Sequence, residues 1–159
     1  MRDWGQFVIV RPLDARPSTR EHALVVDSWI LSWAPHAHPR LLPAQAAPIV
    51  EDHLARCDRV LVAEVPEVAG PICGWVARAR PGVLAYLYVL HDYRRHGIAE
   101  RLLRAVDIDP RARFRYSFAT PRFRALCHFD PRRPTRIPWK GVPDHGHSRS
   151  ARGYDRSRG

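Results

Sequence analysis

The sequence predicts a single α/β (α+β) domain in which helices flank a mixed, mostly antiparallel central sheet. Its 159 residues suffice for one core and are too few for two. Three β-rich runs follow one another with short linkers, which is typical of antiparallel neighbours. The segments around them repeat apolar residues at three- and four-residue steps, the period of an amphipathic helix.

The elements are expected in the order strand, helix, helix, three strands, helix, strand, helix. The β-rich segments predict strands over Gln6–Leu13, Arg59–Val65, Ile72–Arg78, Val83–Leu90 and Phe114–Thr120. The segments with helical period predict helices over Arg20–Ala34, Ala44–Cys57, Ile98 to Pro110 and Arg122–Phe129. Ser18 or Thr19 is a plausible cap for the first helix, and Pro35 is expected to end it.

Composition divides the chain into residues 1–130, the predicted domain, and residues 131–159, a basic Pro/Gly/Arg-rich segment. The second segment carries eight Arg or Lys against Asp144 and Asp155, a net charge of +6, whereas residues 1–130 carry 18 cations against 14 acids. It lacks a core-forming period, so we expect an extended or disordered tail. Such charge favours phosphate backbones and makes nucleic acid a candidate partner. The alternative explanation of the positive charge is a GC-rich genome, since 25 of the 26 cationic residues are arginine.

The apolar runs, the N-terminal residues and the cysteine spacing indicate neither a membrane protein nor a secreted protein. No apolar run approaches the roughly eighteen residues that span a bilayer. The first seven residues include Asp3 and no long apolar stretch, so no secretory signal is expected. Cys57, Cys73 and Cys127 are an odd number at wide spacings, which fits neither a disulfide framework nor a CxxC pattern. We therefore expect reduced thiols in a cytoplasmic protein.

Two histidine pairs are the candidate metal ligands of the sequence, His36/His38 and His145/His147. Each pair lies in a proline- or glycine-rich stretch and offers two imidazoles without an evident third ligand. Because a stable zinc site needs at least three protein ligands, no metal site is predicted.

The segment Leu87–Leu103 (LYVLHDYRRHGIAERLL) contains the candidate ligand-binding site of the sequence. A β-rich run ends, polar residues turn the chain, and Gly97 precedes a helical period. Amide groups at a helix start have no intrahelical partner, and the helix dipole adds partial positive charge there. Gly97 allows a ligand to approach the backbone, Ala99 is small, and Arg94 and Arg95 add cationic side chains. A site for a phosphate-bearing ligand is predicted here; a simple strand-to-helix connection is the alternative.

This segment resembles the cofactor loop of the GNAT family of acyl-coenzyme A-dependent N-acyltransferases. The family pattern Q/R-x-x-G-x-G/A, behind a strand often written L-Y-V, is matched by Arg94, Gly97 and Ala99 behind Leu87–Val89, with Tyr93 before the arginine. The order of the elements agrees over roughly residues 6–130. The resemblance implies a GNAT-like fold, acetyl-CoA or another acyl-CoA as co-substrate, and an amine-bearing acceptor.

The resemblance also assigns the cofactor contacts. In the family, the loop amides hold the coenzyme A pyrophosphate, and the fourth strand pairs with the pantetheine arm like an additional strand. Carried over, the cofactor-binding residues are Leu87, Tyr88, Val89, Arg94, Arg95, His96, Gly97, Ile98, Ala99 and Glu100.

The sequence departs from the family pattern at positions that concern activity. His91 stands where proline is usual, and Tyr86 stands where many members place a glutamate as general base. The segment Arg122–Phe129 contains no tyrosine, the residue that often protonates the leaving thiolate there. A final β-hairpin is not evident, so we expect the fold to be truncated in its C-terminal part.

Five residues are candidates for catalysis: Glu64, Tyr86, Tyr88, Ser117 and His128. Glu64, the carboxylate within the second predicted strand, is either a partly buried base or a solvent-facing residue. Ser117 lies on the fifth predicted strand, near the point where a splay from the fourth strand would open a cleft. His128 is either a proton donor to sulfur or a surface histidine.

Aromatic residues offer two further alternatives. Tyr86 and Tyr88 share a strand face by alternation, with Ala85, Leu87 and Val89 opposite, and serve either as acid and pocket wall or as packing. Trp29 and Trp33, four residues apart on the first helix, form either a core stripe or the wall of an acceptor pocket.

The leading hypothesis is direct transfer of an acyl group from acyl-CoA to an amine. A second hypothesis starts from the basic tail and from a similarity to short GNAT-like proteins of phage genomes: modification of DNA bases, or DNA binding without catalysis. A third is a degenerate fold kept as an interaction module. Replacing Gly97 with a larger residue separates an enzyme from such a module, because only the enzyme needs close approach of a ligand at this backbone.

Overall fold

The computed structural model describes residues 7–14, 16–17, 19–37, 42–66, 71–112 and 114–116. Its elements in chain order are β1 (Ile9–Pro12), α1 (Arg20–Ala37), α2 (Pro43–Ala55), β2 (Arg59–Glu64), β3 (Ile72–Arg80), β4 (Val83–Val89), α3 (Ile98–Ala105) and β5 (Arg115–Tyr116). A short 3₁₀ helix, His91–Tyr93, lies between β4 and α3. This order is the predicted one. The last predicted helix, Arg122–Phe129, lies outside the described residues.

The strands form one five-stranded sheet in the order β1-β2-β3-β4-β5. Adjacent strands from β1 to β4 are antiparallel to each other, as the short linkers predict, and β5 runs parallel to β4. The described pairing of β5 joins Val83 to Arg115 and Leu84 to Tyr116. The predicted class, a mixed and mostly antiparallel sheet flanked by helices, is confirmed.

A bulge in β4 changes which residues share a face. Ala77 of β3 pairs with Tyr86, and the next residue, Arg78, pairs with Leu84, so Ala85 is the extra residue on β4. Ala85 and Tyr86 consequently belong to the same core cluster. The prediction that Ala85 lies opposite Tyr86 is wrong, because simple alternation assumes an uninterrupted ladder.

The sheet has a separate apolar core on each face. Trp29 and Trp33 of α1 pack with residues of α2 and with Trp75 and Tyr86 of the sheet. On the other face, residues of α3, among them Leu102, pack against a second set of strand residues, among them Leu84. Trp29 and Trp33 are 0% and 1% exposed, so their spacing marks a core stripe rather than a pocket wall.

Helix α1 begins as predicted and ends later than predicted. The Thr19 hydroxyl accepts a hydrogen bond from the His22 amide at 3.2 Å, which is the geometry of an N-terminal cap. The helix then runs through Pro35 to Ala37 instead of ending at Ala34. A proline this close to the helix end removes only one hydrogen bond, to the carbonyl of Leu31, so the last turn persists.

Helix α3 ends at Ala105, well before Pro110, which the sequence predicts as its terminator. Asp107 has a φ of 59° and places the chain in the left-handed region. Its amide donates to the Arg104 carbonyl at 3.0 Å, and the Ile108 amide donates to the Leu103 carbonyl at 2.9 Å. These two bonds form a Schellman motif, in which an aspartate takes the position that glycine usually holds. This turn ends the helix.

None of the helices in the described part of the chain is long and apolar enough to span a bilayer. Within the same ranges, no three metal-ligating side chains come together. His38, His145 and His147 are outside those ranges, and the side chain of His36 is not described.

Candidate functional site

The segment between β4 and α3 forms a compact loop around two residues with positive φ. The chain leaves β4 at Val89, turns through the 3₁₀ helix, and enters α3 at Ile98. Arg95 has a φ of 67° and Gly97 a φ of 73°, both in the left-handed region. Gly97 is the N-cap of α3 and provides no side-chain cap. The backbone itself is therefore what this helix start presents.

The loop amides fall into two groups. The amides of Leu90, Tyr93 and Arg94 donate to the carbonyls of Cys73, Leu90 and His91, at 2.9, 3.0 and 3.2 Å. The first bond of the α3 ladder joins the Arg101 amide to the Gly97 carbonyl at 3.1 Å. Among the described residues, none of the six amides of residues 95–100 donates a hydrogen bond of ordinary geometry. These six donors lie together at the positive end of a helix dipole, which is an arrangement suited to a phosphate or diphosphate.

The arginines of this region have different partners. Arg94 donates from Nε to the Val89 carbonyl at 2.9 Å, so its side chain closes the loop onto the end of β4. Arg104 pairs with Glu100 at 2.6 Å, one helical turn away. Arg95 is exposed, and no ion pair of its guanidinium is found within the described part of the chain. Arg95 is therefore the cation that a bound anion could recruit without breaking a contact.

The loop is attached to the core behind it. Ile98 is 1% exposed and packs, with Leu102 and partly buried Tyr93, into the core on the α3 face. Gly74 of β3 lies beneath: a Cβ added there would come within 2.8 Å of the Tyr88 carbonyl and 3.3 Å of Leu102 Cδ1. Gly74 thus permits β4 and α3 to approach closely. Sequence reasoning missed it, although an isolated glycine inside a strand is a signal of such an approach.

The predicted strand contacts, Leu87, Tyr88 and Val89, form the end of β4 next to the loop. Leu87 and Val89 pack toward α3, and Tyr88 packs toward α1 and α2. The described residues of β5 pair only with Val83 and Leu84, so no described strand covers the outer edge of β4 at Leu87–Val89. An edge of this kind presents peptide groups that an extended amide-containing ligand can pair with.

Comparison with known proteins decides the family. The model of the acetyltransferase (GNAT) family matches residues 22–122, which is more than half of the chain and includes the loop. The chain belongs to the GNAT family of acetyltransferases. No curated protein sequence matches it significantly.

Three solved structures are similar to this GNAT chain. They are a ribosomal-protein-alanine N-acetyltransferase from Brucella melitensis biovar Abortus 2308 (25% identity, 63% of this chain and 69% of that chain, TM-score 0.43), a protein described as an acetyltransferase of the GNAT family from Desulfovibrio desulfuricans (19%, 62% and 63%, TM-score 0.40), and a protein described as an acetyltransferase from Deinococcus radiodurans R1 (16%, 77% and 82%, TM-score 0.40). All three TM-scores lie below 0.5, so the family model alone carries the assignment. Membership supports acyl transfer in general and leaves the acceptor open.

Tyr86 is held inside the core of this GNAT domain. Its ring stacks on Trp29 and on Trp75, with centroid distances of 4.8 and 5.2 Å, and the two tryptophans contact each other at 5.3 Å, so the three rings form one cluster. The Tyr86 hydroxyl lies 2.5 Å from Ser32 Oγ. Burial raises the pKa of Tyr86 to about 12. A phenol with this pKa stays protonated near neutral pH and is no general base there. The geometry favours packing and positioning over proton transfer.

Glu64 has a charged partner. Its carboxylate accepts from Arg11 Nε at 2.7 Å, and the same guanidinium reaches Glu21 of α1 at 2.5 Å. These hydrogen bonds raise the pKa of Arg11, and the bond from Arg11 lowers the pKa of Glu21. Strand β3 lies between β2, which carries Glu64, and β4, so two strand spacings place Glu64 at least about 10 Å from β4. The contacts favour a structural ion pair that ties β1, β2 and α1 together, and a role as base stays a prediction.

Of the three remaining candidates, one is half-buried and two lie outside the described residues. Tyr88 is half-buried at the end of β4, beside the predicted cofactor edge. Burial raises the pKa of the Cys57 and Cys73 thiols to about 12 and 11, so neither is an activated nucleophile. Ser117 and His128 lie outside the described residues, and their predicted roles are untested.

Proposed function

We propose that this protein is an acyl-CoA-dependent N-acyltransferase that moves an acetyl or similar group directly from coenzyme A to an amine. The six amides of residues 95–100 carry the proposal. They donate no hydrogen bond of ordinary geometry within the described chain, they cluster at a helix start, and they follow a strand edge that no described strand covers. A diphosphate followed by a chain of amides, as in coenzyme A, is the ligand whose chemistry fits both features.

In this proposal, the cofactor lies along two consecutive stretches of backbone. The diphosphate accepts hydrogen bonds from the amides of Arg95, His96, Gly97, Ile98, Ala99 and Glu100. The pantetheine arm pairs with the edge of β4 at Leu87, Tyr88 and Val89. The exposed guanidinium of Arg95 forms an ion pair with the diphosphate, while Arg94 keeps the loop closed through its hydrogen bond to the Val89 carbonyl. The buried side chain of Ile98 holds the helix start in place, so only its amide faces the ligand.

The chemistry that this arrangement must support is aminolysis of a thioester. The neutral amine attacks the thioester carbonyl carbon, a C–N bond forms, and the carbonyl oxygen becomes an oxyanion. The C–S bond then breaks, the thiolate leaves, and the nitrogen proton passes to solvent or to a side chain while the thiolate takes up a proton. Thioesters are reactive, so holding both reactants together supplies much of the acceleration.

Tyr88 is the described side chain best placed to meet these reactants. It follows the buried Tyr86 on the same face of β4, is half-buried, and belongs to the segment along which the pantetheine arm would lie. Its hydroxyl can donate a proton or a hydrogen bond to the departing sulfur. Tyr86 then serves as packing, no step is assigned to Glu64, and Ser117 and His128 remain candidates for the acid.

Calorimetric titration with acetyl-CoA tests the proposal, with two glycine variants as a matched pair. Gly97 and Gly82 have φ values of 73° and 71°, and an added Cβ meets nothing within 4 Å at either position. The two alanine variants should therefore lose similar folding free energy, about 1–2 kcal/mol, from the left-handed backbone. Only Gly97→Ala places a methyl group against the diphosphate, so we expect its acetyl-CoA affinity to fall about tenfold or more and that of Gly82→Ala to stay unchanged.

Two outcomes would contradict the proposal. One is a wild-type protein without saturable binding of acetyl-CoA. The other is equal acetyl-CoA binding by wild type and Gly97→Ala, since the backbone at residue 97 would then have no ligand against it. Expression of the protein, followed by mass spectrometry of the cellular amines that gain an acyl mass, would identify the acceptor.

A second proposal follows from the charge of residues 131–159, eight cations against two acids. Here the GNAT domain acts on nucleic acid, as a modifier of DNA bases or as a binding protein without catalysis. Duplex DNA binding with a steep salt dependence, unaffected by acetyl-CoA, would favour this function over the first.

A further inference from the structure

Two serines of α1 form a polar seam with the sheet. Trp75 donates from Nε1 to Ser28 Oγ at 2.8 Å, and the Tyr86 hydroxyl lies 2.5 Å from Ser32 Oγ, four residues further along the helix. Each serine also hydrogen-bonds to a carbonyl of its own helix: Ser28 to Val25 at 3.1 Å and Ser32 to Ser28 at 2.5 Å. Because these carbonyls can only accept, the serines donate to them and accept from the aromatic groups.

The Ser32 hydroxyl positions Tyr86 and does not relay a proton from it. The hydrogen-bond chain from the Tyr86 hydroxyl through Ser32 ends at the Ser28 carbonyl oxygen, which has no proton to pass on. The Tyr86 ring already packs against both Trp29 and Trp75. Its hydroxyl bond to Ser32 adds a directional restraint that stacking alone lacks.

Tyr86 stands at a sensitive place on β4. The bulge residue Ala85 precedes it, and after the bulge β4 resumes regular pairing with β3 from Tyr86 to Val89. Extra residues at bulges increase local bend and twist, so the orientation of the following segment depends on what holds the strand there. The following segment, Leu87–Val89, is the one along which the pantetheine arm would lie.

We propose that Ser32 is a positioning residue for acyl-CoA, an inference that rests on the proposed function. By holding the Tyr86 hydroxyl, it fixes β4 directly after the bulge and aligns the edge of Leu87–Val89 with the amides of residues 95–100. Ser28 makes the equivalent bond to β3, one strand away from that edge, and has no such role.

A comparison of two ligands on three variants tests this role. Ser32→Ala removes the hydroxyl from the helix, Tyr86→Phe removes it from the strand and keeps the ring, and Ser28→Ala is the matched control. The ligands are acetyl-CoA and 3′-phosphoadenosine 5′-diphosphate, which keeps the diphosphate and lacks the pantetheine arm. Affinities are measured by calorimetry at a temperature at which near-UV circular dichroism shows each variant folded.

Ser32→Ala and Tyr86→Phe are expected to bind acetyl-CoA roughly three- to tenfold more weakly than wild type, the range set by the loss of one hydrogen bond. Both should bind the diphosphate fragment within about twofold of wild type, and Ser28→Ala should bind both ligands normally. A general loss of structure would not produce this split between ligands. If Ser32→Ala does not fold, Tyr86→Phe carries the same comparison.

Three results would overturn the inference. Unchanged acetyl-CoA affinity in Ser32→Ala and Tyr86→Phe would show that the seam does not position the ligand, while the proposed function would survive. Equal weakening of both ligands, or the same weakening in Ser28→Ala, would show a merely structural role. Binding of neither ligand by the wild type would remove the proposed function, and the role of Ser32 with it.

Discussion

At the scale of single residues, His53 of α2 is a buried titratable group outside the candidate site. It is 3% exposed, and its ring meets Trp29 edge to face at a centroid distance of 5.3 Å. Burial lowers the pKa of His53, because the charged imidazolium is poorly solvated there. The unfolded chain, with a pKa of about 6.5, then binds more protons than the folded one at mildly acidic pH.

The stability that neutral His53 allows is therefore fully present above pH 6.5 or so and is lost as the pH falls from there toward the folded-state pKa. We expect the free energy of unfolding in urea to decrease between pH 7.5 and pH 5, and the decrease to be smaller in His53→Met, which keeps a flexible apolar side chain in place. Parallel pH profiles for the two proteins would show that His53 titrates alike in both states.

Single residues also separate what the sequence could predict from what it could not. The loop residues were predictable, because a glycine between a strand and a helical period is typical of a backbone that a ligand approaches. Ala85 was not predictable as a bulge, since a bulge depends on the partner strand. The serine hydrogen bonds to the sheet could have been predicted, because Ser28 and Ser32 lie four residues apart, next to Trp29 and Trp33 on the buried face of α1. Polar residues in such a stripe require partners.

At the scale of elements, the end of α3 depends on an unusual residue. Asp107 takes a left-handed conformation in the Schellman turn, and its carboxylate pairs with Arg59 at 2.8 Å and Arg78 at 2.9 Å. It joins the helix end to β2 and β3. Arg78 adds a hydrogen bond to the Val106 carbonyl at 2.9 Å. The backbone conformation of Asp107 and the charge of its side chain thus both determine how stably the end of α3 is held.

A pair of substitutions separates these two contributions. Asp107→Gly and Asp107→Ala both remove the carboxylate, but only alanine keeps the steric cost of a φ near 59°. We expect Asp107→Ala to be less stable than Asp107→Gly by about 1 kcal/mol, because glycine adopts this conformation without strain. Urea unfolding measures the difference. Equal stabilities would mean that the turn relaxes around alanine and that φ does not limit stability here.

Element boundaries show what a period can and cannot predict. The helical and strand periods predict the order of the described elements, because each buries one face against the sheet or a helix. Their ends were harder to predict: Pro35 does not stop α1, and α3 stops at Ala105 without a proline. Both ends depend on local hydrogen bonds at the helix terminus rather than on apolar spacing.

At the scale of the whole molecule, ion pairs of β-strand arginines tie the helices to the sheet. Arg11 joins β1 to Glu64 of β2 and to Glu21 of α1. Arg78 joins β3 to Asp58, before β2, and to Asp107, after α3. The apolar cores on the two faces share the sheet between them, so binding at the loop of one face is expected to stabilise the entire domain. Acetyl-CoA at 100 times its dissociation constant should add about 2.7 kcal/mol to the free energy of unfolding.

The predicted division into residues 1–130 and 131–159 makes this stabilisation a test of the two proposed functions together. A variant in which the eight cations of residues 131–159 are replaced by glutamine keeps the cofactor loop and reduces the positive charge. If the domain binds acetyl-CoA by itself, the variant should gain the same unfolding free energy from acetyl-CoA as the wild type. If the tail binds phosphates, the variant should bind duplex DNA more weakly, and the slope of log affinity against log salt should flatten by about 0.9 for each phosphate that the tail no longer neutralises. A loss of acetyl-CoA stabilisation in this variant would contradict the division, because the cations beyond residue 130 would then contribute to the cofactor site.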